Sequence, residues 1–115
     1  MWIIDRSILI IEKKAPFLTW LKTLPDTEAV GMTLEELNEH PTCYLLPPYE
    51  EEKEALEALE EICEEVFCEE MEAWSTDESA WETDRSLKNF KSWFGFRFSA
   101  MPVDLVEGEI EKEEY

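Results

Sequence analysis

A chain of 115 residues is long enough for one ordinary domain and short for two. Its 29 acidic and 10 basic side chains give a formal charge of −19, which argues against holding a nucleic-acid backbone or an anionic membrane through bulk charge. Hydrophobic residues at 44% and aromatics at 12% exclude a disordered chain, since disorder goes with too little apolar surface to bury.

The apolar start Met1-Trp2-Ile3-Ile4 is broken at once by Asp5 and Arg6, so it reads as no signal peptide. Residues 7–13, with Ile8-Leu9-Ile10-Ile11 at their centre, predict a strand covered on both faces. That run is far short of the ~20 apolar residues of a membrane helix. Pro16 suits the first turn of a helix over 17–24, whose Phe17, Trp20, Leu21 and Leu24 share one face. Thr33-Leu34-Glu35-Glu36 has the capping-box pattern and predicts a short helix to about Glu39. Residues 42–46 predict a second strand, closed by Pro47-Pro48.

Residues 50–74 predict one long helix. Leu56, Leu59, Cys63, Val66, Phe67, Met71 and Trp74 recur at intervals of three and four, so one stripe is apolar. Twelve glutamates and a single lysine, Lys53, fall between positions 50 and 72. The first three suit the positive end of the helix dipole, and the later ones do not. Ser75-Thr76-Asp77-Glu78 predicts a second capping box, and Thr83 or Asp84 should cap a helix over 85–94 that Gly95 ends. Residues 96–106 predict the third strand. Pro102 cannot donate to a ladder, so the strand there is an edge, bulged or interrupted. From position 107 to 115 the chain reads as an acidic, frayed tail to a single domain over 1–106.

In order, Met1-Trp2-Ile3-Ile4-Asp5-Arg6-Ser7, Pro16-Phe17-Leu18-Thr19-Trp20-Leu21, Tyr44-Leu45-Leu46-Pro47 and Trp81-Glu82-Thr83-Asp84-Arg85-Ser86-Leu87, with Phe90 and Trp93-Phe94, form a recognisable series. The chain resembles a family of small acidic bacterial proteins of unknown function, most specifically over positions 74–98. The resemblance implies a histidine where Ser99 or Ala100 stands, which argues against an essential proton transfer there. It implies no activity, cofactor or substrate.

Candidate sites come next. Glu57, Glu60, Glu61 and Glu64 pair along the long helix and are the candidate ligands for Mg²⁺ or Mn²⁺. Glu60-Glu61-x-x-Glu64 also looks similar to the helix carboxylates of nucleotide pyrophosphohydrolases, but Glu82-Thr83-Asp84 lacks the spacing of their second set. The bland reading of these glutamates is a solvated helix face. His40, before Pro41, stands without a ligand-spaced neighbour and reads as a loop residue. Three cysteines make an odd set. Cys63 and Cys68 would sit ~7.5 Å apart along one helix and face different ways, so all three read as reduced thiols of a cytoplasmic protein. Glutamates around them raise a thiol pKa, which opposes reactivity.

Residues 85–97 hold Arg85, Lys88, Lys91 and Arg97 with no acid, interleaved with Phe90, Trp93, Phe94 and Phe96. In a basic protein this would read as a platform for single-stranded nucleic acid. At −19 it reads instead as counter-charge docked against the acidic helix, with its rings in the core. Trp20, Trp74 and Trp93 fit apolar stripes. Trp2 and Trp81 lie outside them, and with Arg85, Lys88 and Lys91 they are the interaction candidates.

The expectation is an α+β domain with a three-stranded sheet, strand order open, and helices mainly on one face. The function expected is a non-enzymatic protein-interaction module, an adaptor or inhibitor and in its sharpest form a nucleic-acid mimic, whose acidic surface meets a basic protein. No catalytic residue, cofactor, direct nucleic-acid contact or membrane contact is assigned, and self-association is left open. The alternative is a divalent-metal-dependent hydrolase built on the helix glutamates.

Overall fold

Residues 8–11 form the middle of the sheet. In the computed structural model, which describes residues 1–25 and 29–114, the elements run β1 (Trp2–Ile3), β2 (Ser7–Lys13), α1 (Ala15–Thr23), α2 (Leu34–Leu37), β3 (Thr42–Leu46), α3 (Glu52–Glu72), a 3-10 turn (Glu78–Ala80), α4 (Leu87–Trp93), β4 (Phe94–Ser99) and β5 (Val103–Asp104). The main sheet has the order β3-β2-β4, antiparallel throughout. Leu9 lies between Tyr44 and Phe98, and Ile11 between Thr42 and Phe96. This is the α+β architecture expected, with the most aliphatic segment as the central strand.

Strand alternation divides the sheet into unlike faces. Ser7, Leu9, Ile11 and Lys13 point to the helices, with Thr42, Tyr44 and Leu46 on one side and Phe94, Phe96 and Phe98 on the other. There Leu9 and Ile11 join Phe17 and Leu21 of α1, Leu59, Val66, Phe67 and Met71 of α3, and Phe90 and Trp93 of α4 in one core. The second face carries Ile8, Ile10, Glu12, Cys43, Leu45, Arg97 and Ser99, none of them buried. Full cover of both faces, expected from the unbroken aliphatic run, is therefore not what forms. Ile8 and Ile10 are partly shielded by their neighbours on the sheet.

α3 follows its apolar stripe closely, since Ala55, Leu59, Cys63, Val66, Phe67 and Met71 are buried. Its ends are the exceptions. Leu56 is exposed, and Trp74, expected in the core, lies two residues past the helix at 39% exposure. Thr33 caps α2 as expected, its hydroxyl accepting from the Glu36 amide at 3.2 Å.

The later caps fall elsewhere than the sequence pattern put them. Asp77, not Ser75, caps the 3-10 turn by accepting from the Ser79 amide at 3.1 Å. Ser86, not Thr83 or Asp84, caps α4 through the Asn89 amide at 3.3 Å. Gly95 does not end that helix. Phe94 is at once its extended cap and the first residue of β4, so helix passes into strand with no loop.

The third strand is interrupted at the proline. β4 stops at Ser99, and the residues after Pro102 turn to pair with the start of the chain, Trp2 opposite Asp104 and Ile3 opposite Val103. The Ile4 amide donates to the Pro102 carbonyl at 3.2 Å, so the proline serves this ribbon as an acceptor only.

Opposite faces of α3 should respond differently to substitution. Leu59→Ala removes a fully buried side chain and should cost about 3 kcal/mol in chemical denaturation, while Glu57→Gln on the exposed face should be neutral or slightly stabilising. Equal losses would contradict this assignment of faces.

Candidate interaction groove beside β3

One glutamate of α3 behaves unlike the others. Glu70 follows Leu59, Cys63 and Val66 on the buried stripe and is only 5% exposed. Its carboxylate accepts from the Thr42 hydroxyl at 3.0 Å and from the Tyr44 hydroxyl at 3.1 Å, and it lies 3.5 Å from the Lys13 ammonium. That ammonium also stands 5.4 Å from the centre of the Phe17 ring. A buried carboxylate is tolerated only with such partners. Thr42 and Tyr44 alternate along β3, so Glu70 clamps the C-terminal half of α3 to that strand.

Next to the clamp runs a groove. Tyr44, Leu46, Ile62 and Val66 contribute its apolar lining, and Glu65 and Glu69 of α3 its acidic wall. Among the described residues no cation lies within ion-pairing distance of Glu65. Helical spacing places Ile62, Glu65, Val66 and Glu69 on one side of α3, towards β3.

β3 is an edge strand, and the direction of its backbone groups follows from the hydrogen bonds of Lys13 and Lys14 at the end of β2. The Lys14 amide donates to the Trp93 carbonyl at 2.8 Å, on the side of β4. Lys13 faces the other way. Its amide donates to Asn38 Oδ1 and its carbonyl accepts from Asn38 Nδ2, both at 2.8 Å. Amide and carbonyl of one strand residue point to the same side and alternate along the strand. Hence Ser7, Leu9 and Ile11 bond to β3, and their partners Leu46, Tyr44 and Thr42 face inward. The amides and carbonyls of Cys43 and Leu45 therefore face outward, where the described residues supply no further strand. Positions 41 and 47 continue the alternation, and both are prolines. Proline has no amide hydrogen, so the donors on this edge are bracketed at two.

The other candidate residues are scattered rather than gathered. Glu57, Glu60 and Glu61 line an open depression on the far side of α3, and Glu64 turns to Arg85 at 3.6 Å. Among the described residues no three His, Cys, Asp or Glu side chains converge to hold a metal ion. Arg85 is the one cation of its segment, within the described residues, seen paired to α3. Arg97 meets Glu12 at 3.6 Å on the open face of the sheet, while Lys88 and Lys91 are exposed. The rings of Phe90, Trp93 and Phe94 are buried and offer nothing to a stacked base. Trp81 packs against the core, its indole donating to the Ser75 carbonyl at 2.8 Å, whereas Trp2 is half exposed on β1. His40 lies exposed in the loop before β3.

Sequence reasoning missed Glu70 because it grouped every helix glutamate into a solvated face. The spacing 59, 63, 66, 70 was signal enough to separate it. Nothing in the residues alone showed which edge of the sheet would stay open. Among the described residues no helix is long and apolar enough to cross a membrane. No protein-family profile, curated protein or solved structure matches this chain.

The two partners of the buried pair should be energetically coupled. Glu70→Gln leaves the Lys13 ammonium without its counter-charge and should lose about 3 kcal/mol, and Lys13→Met combined with Glu70→Gln should lose less than the two single changes added together. A strictly additive double variant would mean that the ammonium and carboxylate do not interact.

Thiol chemistry gives a second check. Burial pushes the Cys63 and Cys68 thiols up, with Arg85 partly opposing this at Cys68. Iodoacetamide at neutral pH should therefore modify exposed Cys43 first, and the other two at useful rates only after unfolding. Fast modification of Cys63 in the native state would overturn its placement in the core.

Proposed function

We propose that this protein is a non-enzymatic interaction module, an adaptor or inhibitor, that receives a basic segment of a partner protein in the groove between β3 and α3. The observation that carries the reading is the pairing of an apolar floor with the acidic wall of Glu65 and Glu69. An apolar floor gains from burial of a side-chain stem, and the wall gains from a cationic head, so lysine and arginine satisfy both at once. The chain's charge of −19 would further speed encounter with a basic partner at low salt.

Bulk attraction and a true site are separated by moving the same charge change around α3. Glu65→Gln with Glu69→Gln should weaken binding of a lysine-rich peptide at least tenfold at physiological ionic strength. Glu57→Gln with Glu60→Gln, on the far side of the helix, should leave it within about twofold, since exposed charges beyond a Debye length are screened. Equal losses from the two pairs, read by isothermal titration calorimetry, would reduce the interaction to net charge and remove the groove as a site.

A further inference from the structure

The open edge of β3 lies beside the groove, and together they specify the conformation of the occupant. Edge strands are ordinarily blunted by charge, by proline or by brevity. β4, the opposite edge, carries Arg97 within its span. β3 reads Thr-Cys-Tyr-Leu-Leu with no charge, and it presents the amides and carbonyls of Cys43 and Leu45 outward between two prolines. Cys43 is exposed and Leu45 is 56% exposed, so neither residue is packed under a neighbouring element.

We propose that the partner segment binds as an added strand on β3, extended and alternately basic and β-branched apolar over about five residues, the length of β3 itself. This rests on the groove reading above and sharpens it. In an antiparallel addition, residues opposite one another share a face of the sheet. Segment residues opposite Thr42, Tyr44 and Leu46 therefore point towards α3, where lysine or arginine stems cover Ile62 and their heads reach Glu65 and Glu69. Residues opposite Cys43 and Leu45 point to the open face, continuing the half-covered surface of Ile8, Ile10 and Leu45. The outward amides and carbonyls of Cys43 and Leu45 supply four backbone hydrogen bonds, and Pro41 and Pro47 fix where the donors stop. A second copy of this chain fits the edge poorly, because its own α3 would bring like charge against Glu65 and Glu69.

The test uses the intact protein and a capped seven-residue peptide of alternating lysine and valine, compared with the same peptide N-methylated at its valines. The expected result is binding of the first peptide, loss of at least tenfold in affinity for the second, and at least tenfold slower hydrogen exchange at the Cys43 and Leu45 amides on binding, followed by NMR. Equal binding of both peptides with no slowing at those amides would overturn strand addition while leaving the acidic groove in place. Failure of the unmodified peptide to bind, or binding indifferent to Glu65→Gln with Glu69→Gln, would overturn the groove reading itself. Protection of Cys43 and Leu45 that grows with protein concentration without peptide would assign the edge to a second copy and overturn the basic partner.

Discussion

Phe94 holds the layers together. Its ring lies 5.6 Å from that of Phe17 on α1, 5.1 Å from Phe67 on α3 and 4.8 Å from Phe90 on α4, while its backbone begins β4. One residue thus joins three helices to the sheet. Aromatic pairs of this kind contribute roughly 0.5–1.5 kcal/mol each beyond the area they bury. The arrangement also explains why helices crowd one face. The chain enters β4 directly from α4, so α4 must lie on the side to which Phe94 points.

From that constraint follows the unequal treatment of glutamate along α3. Where the helix meets the sheet, Glu70 is admitted only with Thr42, Tyr44 and Lys13 around it. Elsewhere most of the carboxylates are exposed, and there mutual repulsion is softened by salt and by distance. The C-terminal turn of α3 has no basic residue to complement the helix dipole, so core packing joins the Glu70 clamp in holding that end. Phe67 and Met71, both fully buried, supply that packing.

Much of this was legible in the residues, and the limits have physical causes. The 3.6-residue period of Leu59, Cys63, Val66 and Phe67 is a local signal, and α3 obeys it. The aliphatic density of residues 8–11 marked the central strand, though the run could not show that one face would stay half open. β1 and β5 are two residues each, too short for any periodicity, and they pair where the chain leaves β4 around Pro102. Caps at Asp77 and Ser86 were misplaced by two or three residues because several neighbouring side chains could cap equally well. The groove lay furthest out of reach. It depends on strand order and on which residues of β3 face inward, and both are properties of pairing between distant segments.

Asn38 carries a consequence of a chemical kind. Its side-chain amide acts as a one-residue strand against Lys13, donating with nitrogen and accepting with oxygen in the way a backbone would. Hydrolysis of that amide to a carboxylate would place an acceptor against the Lys13 carbonyl, so one of the two bonds would become a repulsion between oxygens. The residue lies just ahead of β3 and next to the Lys13 end of the Glu70 clamp. Spontaneous deamidation, an event of covalent ageing rather than of folding, would then loosen the ladder at the end where β3 begins.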